Sequence, residues 1–236
     1  TVLAMNPLID VAPALWLKRE RPSIRVACAM RGRPAWELAR NAPWLAWLLY
    51  RLEKGTLLES DVVLANGFDT QEYLAGRGVP SLVVPNGVEV DHFSGGGERS
   101  DPGGLARWKE GGRAIIMMVG TLWPVKGVHY LIQAAKLLRQ MGRDDFCLVF
   151  VGDGPQGRYR ELARRLGVGD GVHFVGQQRD VAAFLRWADI SVQLSEGGGM
   201  SMAALESMAA GKAIVAWDTP VYRQLLADGV SALLVP

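Results

Sequence analysis

Cysteine is scarce in this 236-residue chain: the two present, Cys28 and Cys147, lie far apart and each inside an apolar run. A disulfide-framed fold is thereby excluded, and buried thiols in a reducing compartment, the cytosol, are the expectation. Histidine is nearly as scarce, with three in all. Neither His129 nor His173 has a cysteine, aspartate or second histidine at ligand spacing, so no metal site is expected. No apolar run approaches the roughly 20 residues that span a bilayer. Excess charge of one sign is also missing: 26 Lys and Arg against 24 Asp and Glu leave a formal +2, too little for a nucleic-acid footprint. A phosphate-bearing ligand or an anionic membrane surface fits that mild excess equally well. With 49% hydrophobic and 21% charged residues, the chain has an ample core and no disordered composition.

What is present is alternation. Val2-Leu-Ala-Met5 opens a strand-like segment, a helix-like run passes through Ala14–Leu17, and Ile24–Met30 has strand composition. Arg31-Gly-Arg33-Pro follows that strand at the edge where open parallel sheets bind ligands; a solvated loop is the plain alternative. A helix is expected from Asn41, with Asn41 as cap and Pro43 in its first turn. Trp44 and Trp47 are assigned to the core face of that helix, contact with a membrane interface being the alternative. Asp61–Ala65 and Leu82–Pro85 read as further strands, with a small helix over Thr70–Ala75. Ser94-Gly-Gly-Gly97 and Asp101-Pro-Gly-Gly104 then have linker composition. The expected organisation is a first domain over 1–85, a linker over 86–112 and a second domain over 113–236.

In the second domain, strands are expected at Ile115–Val119, Cys147–Val151, Val172–Val175, Ile190–Leu194, Ala213–Ala216 and Ala232–Val235. The helix from Val128 repeats Val128, Leu131, Ile132, Ala135 and Leu138 on one face. Strands alternating with helices imply a parallel, doubly wound sheet whose ligand edge lies at the strand ends. Gly120-Thr121, Gly152-Asp-Gly154-Pro, Gly176-Gln177 and Glu196-Gly197 fall there. The chain opens on Thr1 and stops just after a strand-like segment, and is expected to be a piece of a longer protein.

The densest stretch is Ser195-Glu196-Gly197-Gly198-Gly199-Met200-Ser201, followed by Met202–Gly211. Three glycines let backbone N–H groups approach a ligand, Ser201 suits a helix N-cap and Gly211 a helix stop. A loop facing a helix N-terminus is an anion site. Glu206 is placed on one helix face with Met202, Leu205 and Ala209, read as a buried stripe. A carboxylate there requires hydrogen-bond donors, and a ligand's hydroxyls would serve. Earlier, Gly120–Gly127 joins strand to helix and carries Lys126, a cation suited to phosphate.

In order, Asp61–Asn66, Val83-Val-Pro-Asn-Gly-Val-Glu-Val-Asp-His-Phe93, Val119–Gly127, Val151-Gly-Asp-Gly-Pro155, Val172–Gly176, Ala188-Asp189 and Glu196–Ala216 resemble the retaining glycosyltransferases of family 4, which use the two-domain GT-B fold. The resemblance is extensive over 60–236 and loose before it. It implies two Rossmann-like doubly wound domains, an incomplete acceptor-side first domain and a nearly complete donor-binding second one. It also implies a nucleotide-diphosphate sugar as donor, a sugar or lipid-linked acceptor, no metal or other cofactor, and a cytoplasmic protein that can touch the membrane peripherally. Carried over by resemblance, Lys126 holds the pyrophosphate, Glu196 touches the donor sugar and Glu206 binds the ribose diol. Thr121 and Gly198 line the donor site, the amides of Gly199, Met200 and Ser201 add donors to phosphate, and Gly176 and Gln177 meet the base through backbone.

Three departures are visible. Thr121 stands where the family usually has arginine. Glu196 and Glu206 are ten positions apart, a wider spacing than the family usually shows. No histidine precedes His92, although the family commonly uses one from the first domain. The alternatives these leave are a non-catalytic partner subunit or a nucleotide-sugar epimerase of the same fold. A dehydrogenase is disfavoured because no Gly-x-Gly-x-x-Gly turn follows Ile115–Val119.

Overall fold

The computed structural model describes residues 1–95 and 100–236, apart from the side chains of Glu37 and Asn41. The chain divides into two compact units, Thr1–Asn86 with Gly197–Met200, and Gly87–Glu196 with Ser201–Pro236.

The first unit runs β1 (Val2–Ala4), α1 (Val11–Glu20), β2 (Val26–Met30), α2 (Pro34–Asn41), α3 (Ala46–Glu59), β3 (Val62–Ala65), α4 (Phe68–Ala75) and β4 (Leu82–Val83). Its four strands pair in parallel in the order β1-β2-β3-β4. Val26, Cys28, Met30, Val63 and Ala65 form its buried floor, covered by Val11, Leu15, Leu57 and Leu74 from the helices. Burial pushes the Cys28 thiol up to about 12, so it behaves as a small apolar side chain.

The tryptophan segment departs from expectation. Asn41 closes α2, whose first turn holds Pro34, and a 3₁₀ turn over Pro43–Leu45 precedes α3. Trp44 is 76% exposed and Trp47 67%, so neither faces the core. The cap expected of the Asn41 side chain lies outside the described residues. What turns α3 is a polar anchor: Glu53, 0% exposed, accepts hydrogen bonds from the Ala35 N–H (3.0 Å) and the Tyr73 hydroxyl (2.7 Å). Leaving a buried carboxylate without those donors would cost several kcal/mol, about as much as burying two large side chains gains. The anchor therefore sets the helix phase, with Leu57 one turn on as its apolar companion.

The second unit continues with α5 (Val90–Ser94), α6 (Ala106–Glu110), β5 (Ala114–Val119), α7 (Val128–Gln140), β6 (Phe146–Val151), α8 (Gln156–Arg165), β7 (Val172–Gly176), α9 (Val181–Leu185), β8 (Ile190–Gln193), α10 (Met202–Ala209), β9 (Ala213–Trp217), α11 (Pro220–Arg223) and β10 (Leu233–Val235). Two short helices thus occupy part of the span read as linker. Leu105, Phe93 and Trp108 give the reason, since they pack on the same apolar cluster as Ile115, Met117, Cys147 and Val149. Six parallel strands follow the order β10-β9-β8-β5-β6-β7. Succession runs outward from β5 to β7, then returns to the other side of β5 and runs outward from β8 to β10. That reversal makes the sheet doubly wound, with its switch point between β5 and β8.

Helix α7 buries Val128, Leu131, Ile132 and Ala135 against this sheet, with Leu138 partly buried beside them. Helix α10 ends in a Schellman motif: the Lys212 N–H reaches the Ser207 carbonyl (3.0 Å) and the Gly211 N–H that of Met208 (2.9 Å). Gly211 supplies the left-handed residue, φ 64°. Among the described residues no helix is long and apolar enough to cross a membrane.

Candidate functional site at the strand ends of the second unit

At the carboxyl edge of the second sheet the backbone itself laces the loops together. The Gly120 N–H bonds the Val151 carbonyl, the Leu122 N–H that of Asp153 (2.7 Å), and the Gly152 N–H that of Gly176 (2.9 Å). Gly176, whose backbone is expected to meet a base, thus already accepts one bond at its carbonyl. Gly152 is obligatory here, because a Cβ would lie 1.8 Å from the Gly120 carbonyl oxygen. Thr121 and Gln177 are exposed on the same edge.

Across the switch point, the loops after β5 and β8 meet directly. The Glu196 N–H donates to the Val125 carbonyl (2.9 Å), and Lys126 Nζ lies 3.4 Å from Ser195 Oγ. Lys126 and Glu196 are therefore brought together by the fold. The Glu196 side chain is exposed, and its charge is felt by His129 in the first turn of α7. Burial lowers the His129 pKa, with Glu196 acting against that shift and Arg158 with it.

Ser201 caps α10, its side chain accepting from the Ala204 N–H (3.3 Å). The buried face of α10 is not the stripe expected from the sequence. Ala204 and Ser207 point inward, whereas Met202 is exposed and Leu205, Glu206 and Ala209 are half-buried. The reason is a polar contact: Ser207 Oγ lies 2.7 Å from Ser191 Oγ on β8, and Gln193 Nε2 donates to the same Ser191 oxygen (3.1 Å). Hydroxyls, which an apolar-periodicity count overlooks, set the phase. Glu206 is left on the helix flank, where its carboxylate makes no hydrogen bond to the described residues and desolvation raises its pKa.

Tyr222, on α11, escaped the sequence reading. It is 0% exposed, and its hydroxyl accepts the Ser195 N–H (3.0 Å) while bonding the Ser195 and Ser201 hydroxyls. Burial pushes its pKa up to about 12, so it stays neutral. One phenol thereby holds both ends of the loop that carries Glu196. A strand end followed by a proline-started helix, Thr219-Pro220, was the available signal.

Gly198, Gly199 and Met200 group with the first unit. The Gly199 N–H, expected to serve a phosphate, donates to Asp69 Oδ2 (2.8 Å), a carboxylate whose side chain is 0% exposed. Arg33 approaches the same oxygen at 3.6 Å, and the Met200 carbonyl accepts from Asn86 Nδ2 (3.3 Å). A Cβ on Gly198 would fall 2.8 Å from Arg33 Nε. Arg31 is exposed. Among the described residues no three His, Cys, Asp or Glu side chains gather as a metal-ligand set.

Comparison with known proteins bears on this edge. The chain is 34% identical over 177 residues to D-inositol 3-phosphate glycosyltransferase 2 of Catenulispora acidiphila, covering 69% of this chain and 40% of that protein. It is 32% identical over 162 residues to the phosphatidyl-myo-inositol mannosyltransferase of Mycobacterium leprae, covering 67% of this chain and 41% of the relative. The chain thus spans less than half the length of these relatives. In solved structures the same fold occurs in a sucrose-phosphate synthase from Thermosynechococcus elongatus, with a TM-score of 0.79 at 22% identity, over 99% of this chain and 60% of that one. It occurs also in Anabaena HepE in complex with UDP and glucose, with a TM-score of 0.72 at 19% identity, over 95% and 67%. These neighbours are GT-B proteins, and the two parallel α/β units belong to that fold class. Residues 113–236, which build the laced edge, match the family Glycosyl transferases group 1, and the chain belongs to that family.

Proposed function

We propose that this chain carries the donor site of a glycosyltransferase that takes a sugar from a nucleoside-diphosphate donor, with retention of anomeric configuration and without a metal. The observation that carries the reading is Glu206. A half-buried carboxylate with no hydrogen bond to the described residues and a pKa raised by desolvation is costly to keep unless a ligand supplies donors. Paired ribose hydroxyls are such donors. Lys126 and Glu196, joined across the switch point, would then divide the remaining donor, with Lys126 on the diphosphate and Glu196 on the sugar. Thr121, Ser201, Gly176 and Gln177 would line the rest. The Gly199 amide would serve phosphate only after leaving Asp69.

In this reading an acceptor hydroxyl bonds to the anomeric carbon on the face from which the diphosphate departs. The carbon–oxygen bond to the diphosphate breaks, and the acceptor proton passes to a phosphate oxygen. Lys126, the loop amides and the α10 N-terminus offset the charge building on the leaving group. A sugar or lipid-linked acceptor fits the mannosyl- and glycosyl-transferring relatives.

Titration calorimetry with UDP, GDP and ADP tests the proposal. One diphosphate should bind. Glu206→Ala should weaken it more than Glu206→Gln, which keeps one acceptor oxygen. Lys126→Ala should cost more than Glu196→Ala with the bare diphosphate, and its effect should shrink with the monophosphate, because charge-assisted bonds are about twice as strong as neutral ones. Equal affinity for wild type and Glu206→Ala would remove the ribose role. A Lys126→Ala loss that is the same for both ligands would remove the phosphate role.

A further inference from the structure

We propose that Asp69 is a positioning residue for the glycine loop after β8, acting through Gly199: it occupies the Gly199 amide and so opposes the binding of a ligand's phosphate. The seat lies within the first unit, to which Gly197–Met200 belong. Asp69 stands in the first turn of α4 with its side chain 0% exposed, and its Oδ2 accepts the Gly199 N–H at 2.8 Å. The seat is shaped for bare backbone. Gly199 has φ 90°, and a Cβ on it would fall 3.0 Å from the Gly32 nitrogen and 3.1 Å from the Asn66 carboxamide. On either side, a Cβ on Gly198 would strike the Arg33 side chain, and the Met200 carbonyl accepts from Asn86.

Two anions compete for one donor. A backbone amide has a single hydrogen, so Gly199 cannot serve a carboxylate and a phosphate at once. The bond to Asp69 is charge-assisted and buried, hence stronger than a neutral one, and it holds the loop when no ligand is bound. Release does not strand the carboxylate. Arg33 Nη2 already stands 3.6 Å from Asp69 Oδ2, beyond a hydrogen bond but within ion-pair reach, and Arg33 Nε is buried with no hydrogen-bond partner. A small shift of Arg33 completes that ion pair as Gly199 leaves. The same carboxylate thus has two arrangements, on the amide or on the guanidinium, and a phosphate that binds only the released loop shifts the balance between them. The identity of the ligand rests on the donor-site reading; the seat itself does not.

Amide hydrogen exchange read by NMR, together with calorimetry, tests it. Without ligand the wild-type Gly199 amide should exchange slowly, and Asp69→Asn, whose neutral oxygen is the weaker acceptor, should speed that exchange about fivefold or more. Affinity for whichever of UDP, GDP and ADP binds should rise by a similar factor in Asp69→Asn, while affinity for the matching nucleoside, which lacks phosphate, should stay as in wild type. Glu72→Gln removes an equal charge from an exposed position on the same helix and should change neither reading, which separates the bond from a general loss of negative charge. The wild-type exchange measurement needs no variant to fold. Fast exchange of Gly199 in the wild type would overturn the proposal. So would a diphosphate affinity that Asp69→Asn leaves unchanged or lowers, or an equal gain from Glu72→Gln; in these cases the diphosphate still binds and the donor-site reading stands. Absence of diphosphate binding in both wild type and Asp69→Asn would remove the donor-site reading and this proposal with it.

Discussion

Tyr222→Phe removes one oxygen from a side chain that never reaches solvent, yet three groups at the two ends of the Glu196 loop depend on that oxygen. The Ser195 N–H would lose its acceptor while buried, an effect worth about 1–3 kcal/mol. We expect thermal unfolding to begin a few degrees lower and affinity for the nucleoside diphosphate to fall, with the sheet intact by circular dichroism. An unchanged melting temperature would show that Ser195 finds another acceptor, and the clamp would not exist. Legibility at this scale follows chemistry. Glu206 and Lys126 stand out in the sequence because a carboxylate in an alanine-rich helix and a lysine at a helix entrance demand explanation. Tyr222 does not, because a buried tyrosine is ordinary and its bonds go to residues far away in sequence.

Gly127 decides whether α7 can start where it does. It sits at φ 74°, and a Cβ there would lie 2.6 Å from both the Cβ and the carbonyl oxygen of Leu194 at the end of β8. Gly127→Ala should therefore cost the left-handed penalty, about 1–2 kcal/mol, plus overpacking of a further ~1–3 kcal/mol. Gly112→Ala is the control: at φ 71° with nothing within 4 Å of the new carbon, it should pay only the first cost. Equal losses in denaturant unfolding would mean that Leu194 yields freely and that the loops after β5 and β8 are not tightly joined. At this scale the sequence placed the second-unit strands within one or two residues, since β-branched and apolar runs between glycines leave little choice. It failed where polar groups overrode apolar counting. Glu53 turned α3, Ser207 turned α10, and Leu105 and Trp108 folded part of a span that glycine content marks as linker.

For the whole molecule, stability should fall on mild acidification before its carboxylates titrate. Burial lowers the pKa of His173, with Arg107, Arg160 and Arg113 adding to it and Asp170 opposing. Its Nε2 is buried without a hydrogen-bond partner and its ring lies 4.4 Å from that of Trp108. Both His173 and His129 are depressed in the folded state, so the unfolded chain binds more protons below its ordinary value near 6.5. Their contribution is complete above that pH and is lost as pH falls through it. A second loss should come lower, where Asp170, held down by Arg139, and Glu161, held at about 2 by Arg164 and Arg165, are protonated. Melting temperature against pH should show the two falls, and His173→Gln should shrink the first. A curve that is flat between neutrality and the carboxylate range would contradict this.

The strand order of the second unit has a consequence for how the chain reaches its native state. Strands β5 and β6 share six register pairs across one intervening helix, whereas β5 and β8 share two, Ile116 with Ile190 and Met117 with Ser191. The long stretch of chain between β5 and β8 must be closed before that sparse pairing forms, and the entropy of closure falls on few bonds. The sheet should thus zip outward from β5 toward β7 first, with the sparsely paired β5–β8 seam as its late join. Lys126 and Glu196 stand on either side of that seam, so the edge that carries them should form last and be the first place where the native sheet parts.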